Sequence, residues 1–301
     1  MRNNLSETVN SEVVIMHRRF VILLLGLVVL ASGALAQETV KIELKFNPGE
    51  VLRYKMVINM NMSMEANGPS SFQLPNVPIN MVIVMKQRTK RVLPNGDAEV
   101  NAVIESMRMA MGDKVQQLPV NKIPVMTMVM SPSGEVKDMK GFEKFTSACG
   151  GMDFVNPWNM KQFGMLPSTE LLVGESWSQS VPFPMGGSVQ VIGRLLSANE
   201  MVANTRCALI RQEIYGNLDF DKPIPAYNGQ SISLPPGLKM QGKIKGASET
   251  YFSTEKGRMI RTDGNADIRM NMNAPSSSQG SGGSMFMNMR MKFQMYLVPS
   301  K

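Results

Sequence analysis

Histidine is almost missing from this chain, with one residue, His17, in 301. Cysteine and tryptophan occur twice each, and aromatics make up 6% of the whole. His17 falls in a stretch that reads as a leader, so the mature chain is left with none. That excludes His-based general acid–base chemistry, Ser–His and Cys–His nucleophile pairs, and nearly all common zinc sites. What remains for catalysis is carboxylates, lysines, tyrosines or a bare cysteine, and none of them forms a motif. A carboxylate-only hydrolase stays open as an alternative, because any two acidic side chains could converge in space. The densest basic group (Lys86, Arg88, Lys90, Arg91) alternates with other residues and has no interleaved aromatics. That is a solvated strand face and not a nucleic-acid stripe.

Residues Met16 to Ala36 have the parts of a secretory signal peptide. His17, Arg18 and Arg19 precede an apolar run from Phe20 to Leu30, and Ala34-Leu35-Ala36 supplies the A-x-A cleavage pattern. The apolar run is well short of the ~20 residues that span a bilayer. We therefore expect cleavage near Ala36/Gln37 and an exported product, periplasmic or extracellular, soluble and without a membrane span. No cysteine stands at the cleavage point, which argues against a lipid anchor. Removing residues 1–36 takes three of 32 basic and two of 24 acidic residues, leaving 29 against 22, or +7. Cys149 and Cys207 remain. In an oxidising compartment they are candidates for one disulfide, with two unpaired thiols as the alternative.

Period-two alternation runs through most of the mature chain, the mark of half-buried strands. Val40 to Phe46 places Val40, Ile42, Leu44 and Phe46 on one face. Strands are expected over Val51 to Met64, Ile79 to Leu93, Ala98 to Met111, Ile123 to Met130 and Glu135 to Met139. The Asn95-Gly96 pair and Ser131-Pro132-Ser133-Gly134 supply hairpin turns. Further strands are expected over Trp177 to Phe183, Val189 to Leu196, Arg206 to Tyr215, Lys239 to Phe252, Gly257 to Thr262, Ala266 to Met272 and Ser284 to Val298. Ala66 to Pro78, Asp221 to Pro236 and Ala274 to Ser284 read as loops. Short helical turns are expected over 141–148 and around Trp158 to Phe163.

The halves resemble each other. Gly49-Glu50-Val51-Leu52 is matched by Gly174-Glu175-Ser176-Trp177, and each begins a long strand followed by a hairpin. The expected organisation is a leader (1–36), an N-terminal β half (37–148), a linker with a short helix (149–165) and a C-terminal β half (166–301). The expected fold class is all-β: two similar antiparallel sheets or half-barrels, with hairpins joining neighbouring strands.

What the chain has in abundance is methionine, 29 in all, of which 27 lie beyond Met1 and Met16. They are ordered. Met60, Met62 and Met64 alternate, as do Met107, Met109 and Met111, then Met126, Met128 and Met130, then Met285, Met287, Met289 and Met291. In a strand each such run lays a ladder of thioethers on one face. Three readings compete. The ladders could fill the core, since Met packs irregular gaps. They could line a pliable groove for a hydrophobic small molecule or a partner envelope protein. They could also hold Cu(I) or Ag(I), which soft thioethers select. No cofactor is indicated.

The segments Phe46-x-Pro48-Gly49-Glu50-x-Leu52-x-Tyr54, Ser131 to Met139 and Leu166 to Trp177 resemble those of a group of secreted bacterial all-β proteins without an assigned activity. The resemblance implies a bacterial envelope protein and transfers no functional residue. More distantly the pattern is similar to lipoprotein-carrier folds with an open β half-barrel.

Overall fold

The computed structural model describes residues 39–67, 72–117, 120, 123–141, 166–182, 187–219, 224–225, 231–232, 239–273 and 283–299. The leader, Cys149 and both expected helical stretches lie outside these residues, apart from Gly141, which is a bend. The described residues belong to one compact unit.

Strict alternation over long runs makes long antiparallel strands. The N-terminal half supplies β1 (Thr39–Val40), β2 (Val51–Asn67), β3 (Phe72–Val92), β4 (Ala98–Met111), β5 (Lys114–Gln117), β6 (Met126–Met130) and β7 (Val136–Lys140). The C-terminal half supplies β8 (Leu171–Leu172), β9 (Ser176–Pro182), β10 (Gly187–Val202), β11 (Thr205–Asp219), β12 (Ile224–Pro225), β13 (Ser231–Ile232), β14 (Lys239–Ser253), β15 (Arg258–Asn273) and β16 (Ser284–Leu297). The expected all-β, antiparallel class is what the structure shows. The two halves lie side by side as arms of one twelve-stranded sheet, in the order β7-β6-β4-β3-β2-β16-β15-β14-β11-β10-β9, with β5 on β4. Two-stranded pairs β1–β8 and β12–β13 stand apart from it.

Sheet order follows chain order within each arm, with β5 intervening between β4 and β6 and the β12–β13 pair between β11 and β14; one contact joins distant parts of the chain. The first long strand, β2, pairs with the last, β16, so the sheet is continuous where the chain begins and ends. It is open between β7 and β9, in the middle of the chain.

Turn chemistry sets the hairpins. In the β3–β4 turn Gly96 takes φ +84°, and the Asp97 carboxylate accepts bonds from Asn95 and from Lys137 on β7. In the β6–β7 turn Gly134 also has φ +84°, and its N–H donates to the Ser131 carbonyl. Elsewhere the strands differ from expectation. The strands expected at Val189 to Leu196 and Arg206 to Tyr215 are longer and meet at Ala203-Asn204, both with positive φ, the pattern of a two-residue type I′ turn. The strands expected at Gly257 to Thr262 and Ala266 to Met272 are one strand, β15, running through Asp263-Gly264-Asn265. Strand β3 starts at Phe72, so part of the expected Ala66 to Pro78 loop is extended and paired with β2. Of the expected strand at Val40 to Phe46, only Thr39–Val40 is paired as strand.

The rest of that segment, residues 41–46, is a strap. Val40 pairs with Leu171, the Leu44 N–H donates to the Pro132 carbonyl at 2.7 Å, and the Lys45 N–H donates to the Gly257 carbonyl at 3.0 Å. The Leu166 N–H donates to the Ser133 carbonyl beside it. The Gly174 N–H joins the turn after β8 to Leu195 of β10. Strands β6 and β9 are nine strand spacings apart in the sheet order. Laid flat, nine spacings of ~4.8 Å would separate them by about 43 Å. The four residue steps from Val40 to Leu44 cover at most ~14 Å. The sheet is therefore curled, and the strap ties its two arms together at this end.

The strap also shows which face is concave. Val40 and Ile42 pack with Leu195, Ala208, Ile210 and Phe252, and Phe46 packs against the cluster built on β4 and β6. All of these sheet residues lie on the apolar face. That face is the inside of the curl, and at the strap end it is a dry core.

Candidate ligand-binding face

Register places every methionine ladder on this one face. Across β2 and β16 the directly opposed pairs are Met56/Met295, Met60/Met291, Met62/Met289 and Met64/Met287. Strand β15 continues the rows with Met270 opposite Met287 and Met272 opposite Met285. On the other side Met81 of β3 faces Ile58 of β2 and Met109 of β4, while Met107 faces Ile83 and Met111 faces Ile79. Met126, Met128 and Met130 sit on β6 opposite Ala102, Val100 and Ala98.

Burial divides the ladders into two groups. Met107, Met126 and Met128 are buried and belong to the packed cluster of the N-terminal arm, with Met130 packed against it. Met289 is buried on β16, whereas Met60, Met62, Met64, Met285, Met287 and Met291 are half-buried. Met109 is half-buried and Met111 is 48% exposed at the end of β4. The strap end is thus sealed by Ile, Leu, Val and Phe, together with the buried methionines of the N-terminal arm. Away from it the floor turns to thioethers that keep partial exposure.

The C-terminal arm lines the same face differently, with glycine. Gly193, Gly216, Gly242, Gly246 and Gly264 share register rows with inward-facing residues such as Val189, Val191, Ile214 and Ile244. An added Cβ at Gly216 would lie 2.5 Å from the Ser188 carbonyl oxygen, and one at Gly246 would lie 2.7 Å from that of Asn265. Neighbouring backbone closes in on this side, as it does inside a tightly coiled sheet. Two of the glycines are roofed by rings. A Cβ at Gly264 would run into the Phe293 ring, and one at Gly193 would run into the Trp177 ring. Nothing in the residue patterning announced this lining; small residues spaced two or four apart in β14 and β15 were the available signal.

The face carries little polarity. Thr250 and Thr262 share a hydrogen bond at 2.9 Å, and the Thr262 hydroxyl also contacts the Met259 sulfur. The described inward positions of β2, β3, β4, β16, β15, β14 and β11 hold one ionisable side chain, Tyr54. It is buried beside the strap, donates to the Met259 carbonyl at 3.4 Å, and has its pKa pushed up to about 12 by burial. The charges lie outside: Arg53 and Lys86 flank Glu105, Arg261 pairs with Asp263, and Lys55 lies over the Tyr296 ring. Among the described inward positions of these strands, Tyr54 is the one group that could exchange a proton, and burial keeps it neutral. The face offers an apolar ligand a neutral, deformable floor.

Cys207, half of the expected disulfide, is buried in β11, and its thiol donates to the Thr205 carbonyl at 3.5 Å. Burial pushes its pKa up. Cys149 lies outside the described residues. No three His, Cys, Asp or Glu side chains among the described residues gather to hold a metal ion. No helix among them is long and apolar enough to cross a membrane.

No family model and no characterised protein matches the chain in sequence. Among solved structures the chain is similar to lipovitellin, in a structure titled for its lipid–protein interactions, at 10% identity and a TM-score of 0.42. That match covers 85% of this chain and 26% of lipovitellin. It is also similar to the outer membrane protein OprG of Pseudomonas aeruginosa, at 6% identity and a TM-score of 0.21, over 85% of this chain and 99% of that one. A third is OmpT of Vibrio cholerae, in a loop-deleted form, at 9% identity and a TM-score of 0.20, over 84% and 100%.

Proposed function

We propose that the protein is a non-catalytic, exported binding protein that holds a hydrophobic ligand against its concave methionine face. One observation carries this reading: a continuous row of opposed thioethers across β2 and β16, all but Met289 half-buried, inside a curl whose other end is a packed core. Filling a core does not call for partial exposure, and where methionines do fill this chain's packed core, at Met107, Met126 and Met128 among Ile, Val and Ala, they are buried. Thioethers on three-torsion arms re-pack around ligands of varied shape. Export rests on the signal-peptide pattern of Met16 to Ala36, and the lack of chemistry rests on the neutral floor.

The test is native mass spectrometry of protein purified from its own host, with solvent extraction of whatever it carries. A bound apolar molecule, displaced by the fluorescent probe N-phenylnaphthylamine and lost in Met62→Lys, supports the reading. An apo mass together with no probe binding rejects it. A partner protein seated on the same face would instead appear as a co-purifying chain whose release exposes the probe site.

A further inference from the structure

The apolar-ligand reading treats all inward methionines alike, but the β2–β16 seam sets six of them apart. Met60/Met291, Met62/Met289 and Met64/Met287 form three consecutive rungs, directly opposed. The seam is central in the sheet, where branched and aromatic residues pair best. Here it carries thioethers inside, with Asn59, Asn61, Ser63 and Asn288 among the outward residues between them, all weak strand formers. A segment that gives up local preference at the middle of a sheet is where function is expected to override stability. Neighbouring Met270 is not part of the group. A Cβ at Gly242 would lie 3.1 Å from its Cγ, and it packs toward the core of the C-terminal arm.

We infer that this seam is a binding site for a soft monovalent cation, Cu(I) or Ag(I), held by three or four thioethers from adjacent rungs. Opposed Cα atoms in an antiparallel pair stand about 4.5–5.5 Å apart. Each thioether ends a flexible arm, so three sulfurs from two rungs can close around one ion without moving the backbone. Uncharged sulfur donors select these ions over hard divalent ones. A monovalent ion also brings the smallest charge into a half-buried, neutral floor. The inference does not rest on an apolar ligand being bound.

Silver nitrate is the probe, because Ag(I) needs no reductant. The background is Cys149→Ser/Cys207→Ser, which removes the competing thiols. Native mass spectrometry should show an Ag(I) adduct on this chain and on Met107→Leu/Met109→Leu, where the replaced residues lie off the seam. The adduct should vanish from Met62→Leu/Met64→Leu/Met287→Leu/Met289→Leu. Leu for Met conserves volume and keeps the floor apolar, so the quadruple variant should keep its fold, read from circular dichroism and the urea midpoint. Silver lost from a folded quadruple variant reports the ion site whatever that variant does with the apolar probe, and so separates the two proposals. In the unsubstituted-methionine chain, methyl NMR of the methionines gives a second readout: Ag(I) should shift the ε-methyl signals of the seam residues before those of Met107 or Met128. Equal silver uptake with and without the four seam methionines, or shifts spread evenly over all methionines, overturns the inference.

Discussion

Replacing Ile42 by Ala probes the strap that curls the sheet. Ile42 is 1% exposed and packs with Leu195, Ile210 and Phe252 of the C-terminal arm. Truncating a fully buried Ile to Ala typically costs 2–5 kcal/mol, more where the surroundings cannot relax into the void. Here the strap is held on three sides, at Leu171, Pro132 and Gly257, so it has little freedom to settle into the space. We expect about 3–4 kcal/mol, against no resolvable cost for the exposed Lys41→Ala. Urea unfolding of the chain beginning at Gln37 measures both, and hydrogen exchange locates the damage. Protection should fall at Leu44 and Lys45, whose N–H groups cross the gap, and also at the β6–β7 turn and β8. A cost below about 1 kcal/mol would refute the reasoning. So would exchange changes confined to the strap, since the strap would then not be holding the arms together.

Three further outcomes follow from other parts of the sheet. Gly264→Ala drives a Cβ into the Phe293 ring and should destabilise by about 1–3 kcal/mol; in a double-mutant cycle with Phe293→Leu most of that cost should disappear. Ala203→Gly relieves a left-handed Ala at φ 47° in the β10–β11 turn and should raise stability by roughly 1 kcal/mol, read from the urea midpoint. Tyr54 has its folded pKa raised to about 12, above its unfolded value near 10, so its neutral form is favoured in the folded state. Its contribution is complete below pH ~10 and is lost as the pH climbs toward 12; Tyr54→Phe should flatten the alkaline fall in stability across that window.

Local chemistry was legible in the sequence wherever a turn announced itself. Asn95-Gly96 and Ser131-Pro132-Ser133-Gly134 fixed two hairpins, and alternation put each ladder on a single strand face. Ala203-Asn204 was hidden because Ala is a poor residue for a left-handed turn. Asp263-Gly264-Asn265 misled in the opposite direction. It has turn composition, yet Gly264 is flat strand whose missing side chain makes room for Phe293. The strap has the alternation of a strand because Val40 and Ile42 do face a core, but alternation reports burial and not pairing. The seam was out of reach for the same reason. Periodicity tells which way Met62 and Met289 point and nothing about which strand lies beside them, and these two are joined from opposite ends of the chain. Splitting the methionines into buried and half-buried sets depended on that pairing.

The most direct test of the concave methionine floor is photo-crosslinking with a diazirine-bearing fatty acid, followed by peptide mapping. Adducts should concentrate on the segments carrying Met60 to Met64 and Met285 to Met291, and excess unlabelled fatty acid should suppress them. Labelling at outward residues such as Lys55, Arg290 or Lys292, resolved from the neighbouring methionines by fragmenting the labelled peptides, or labelling that competitor leaves unchanged, would contradict the account.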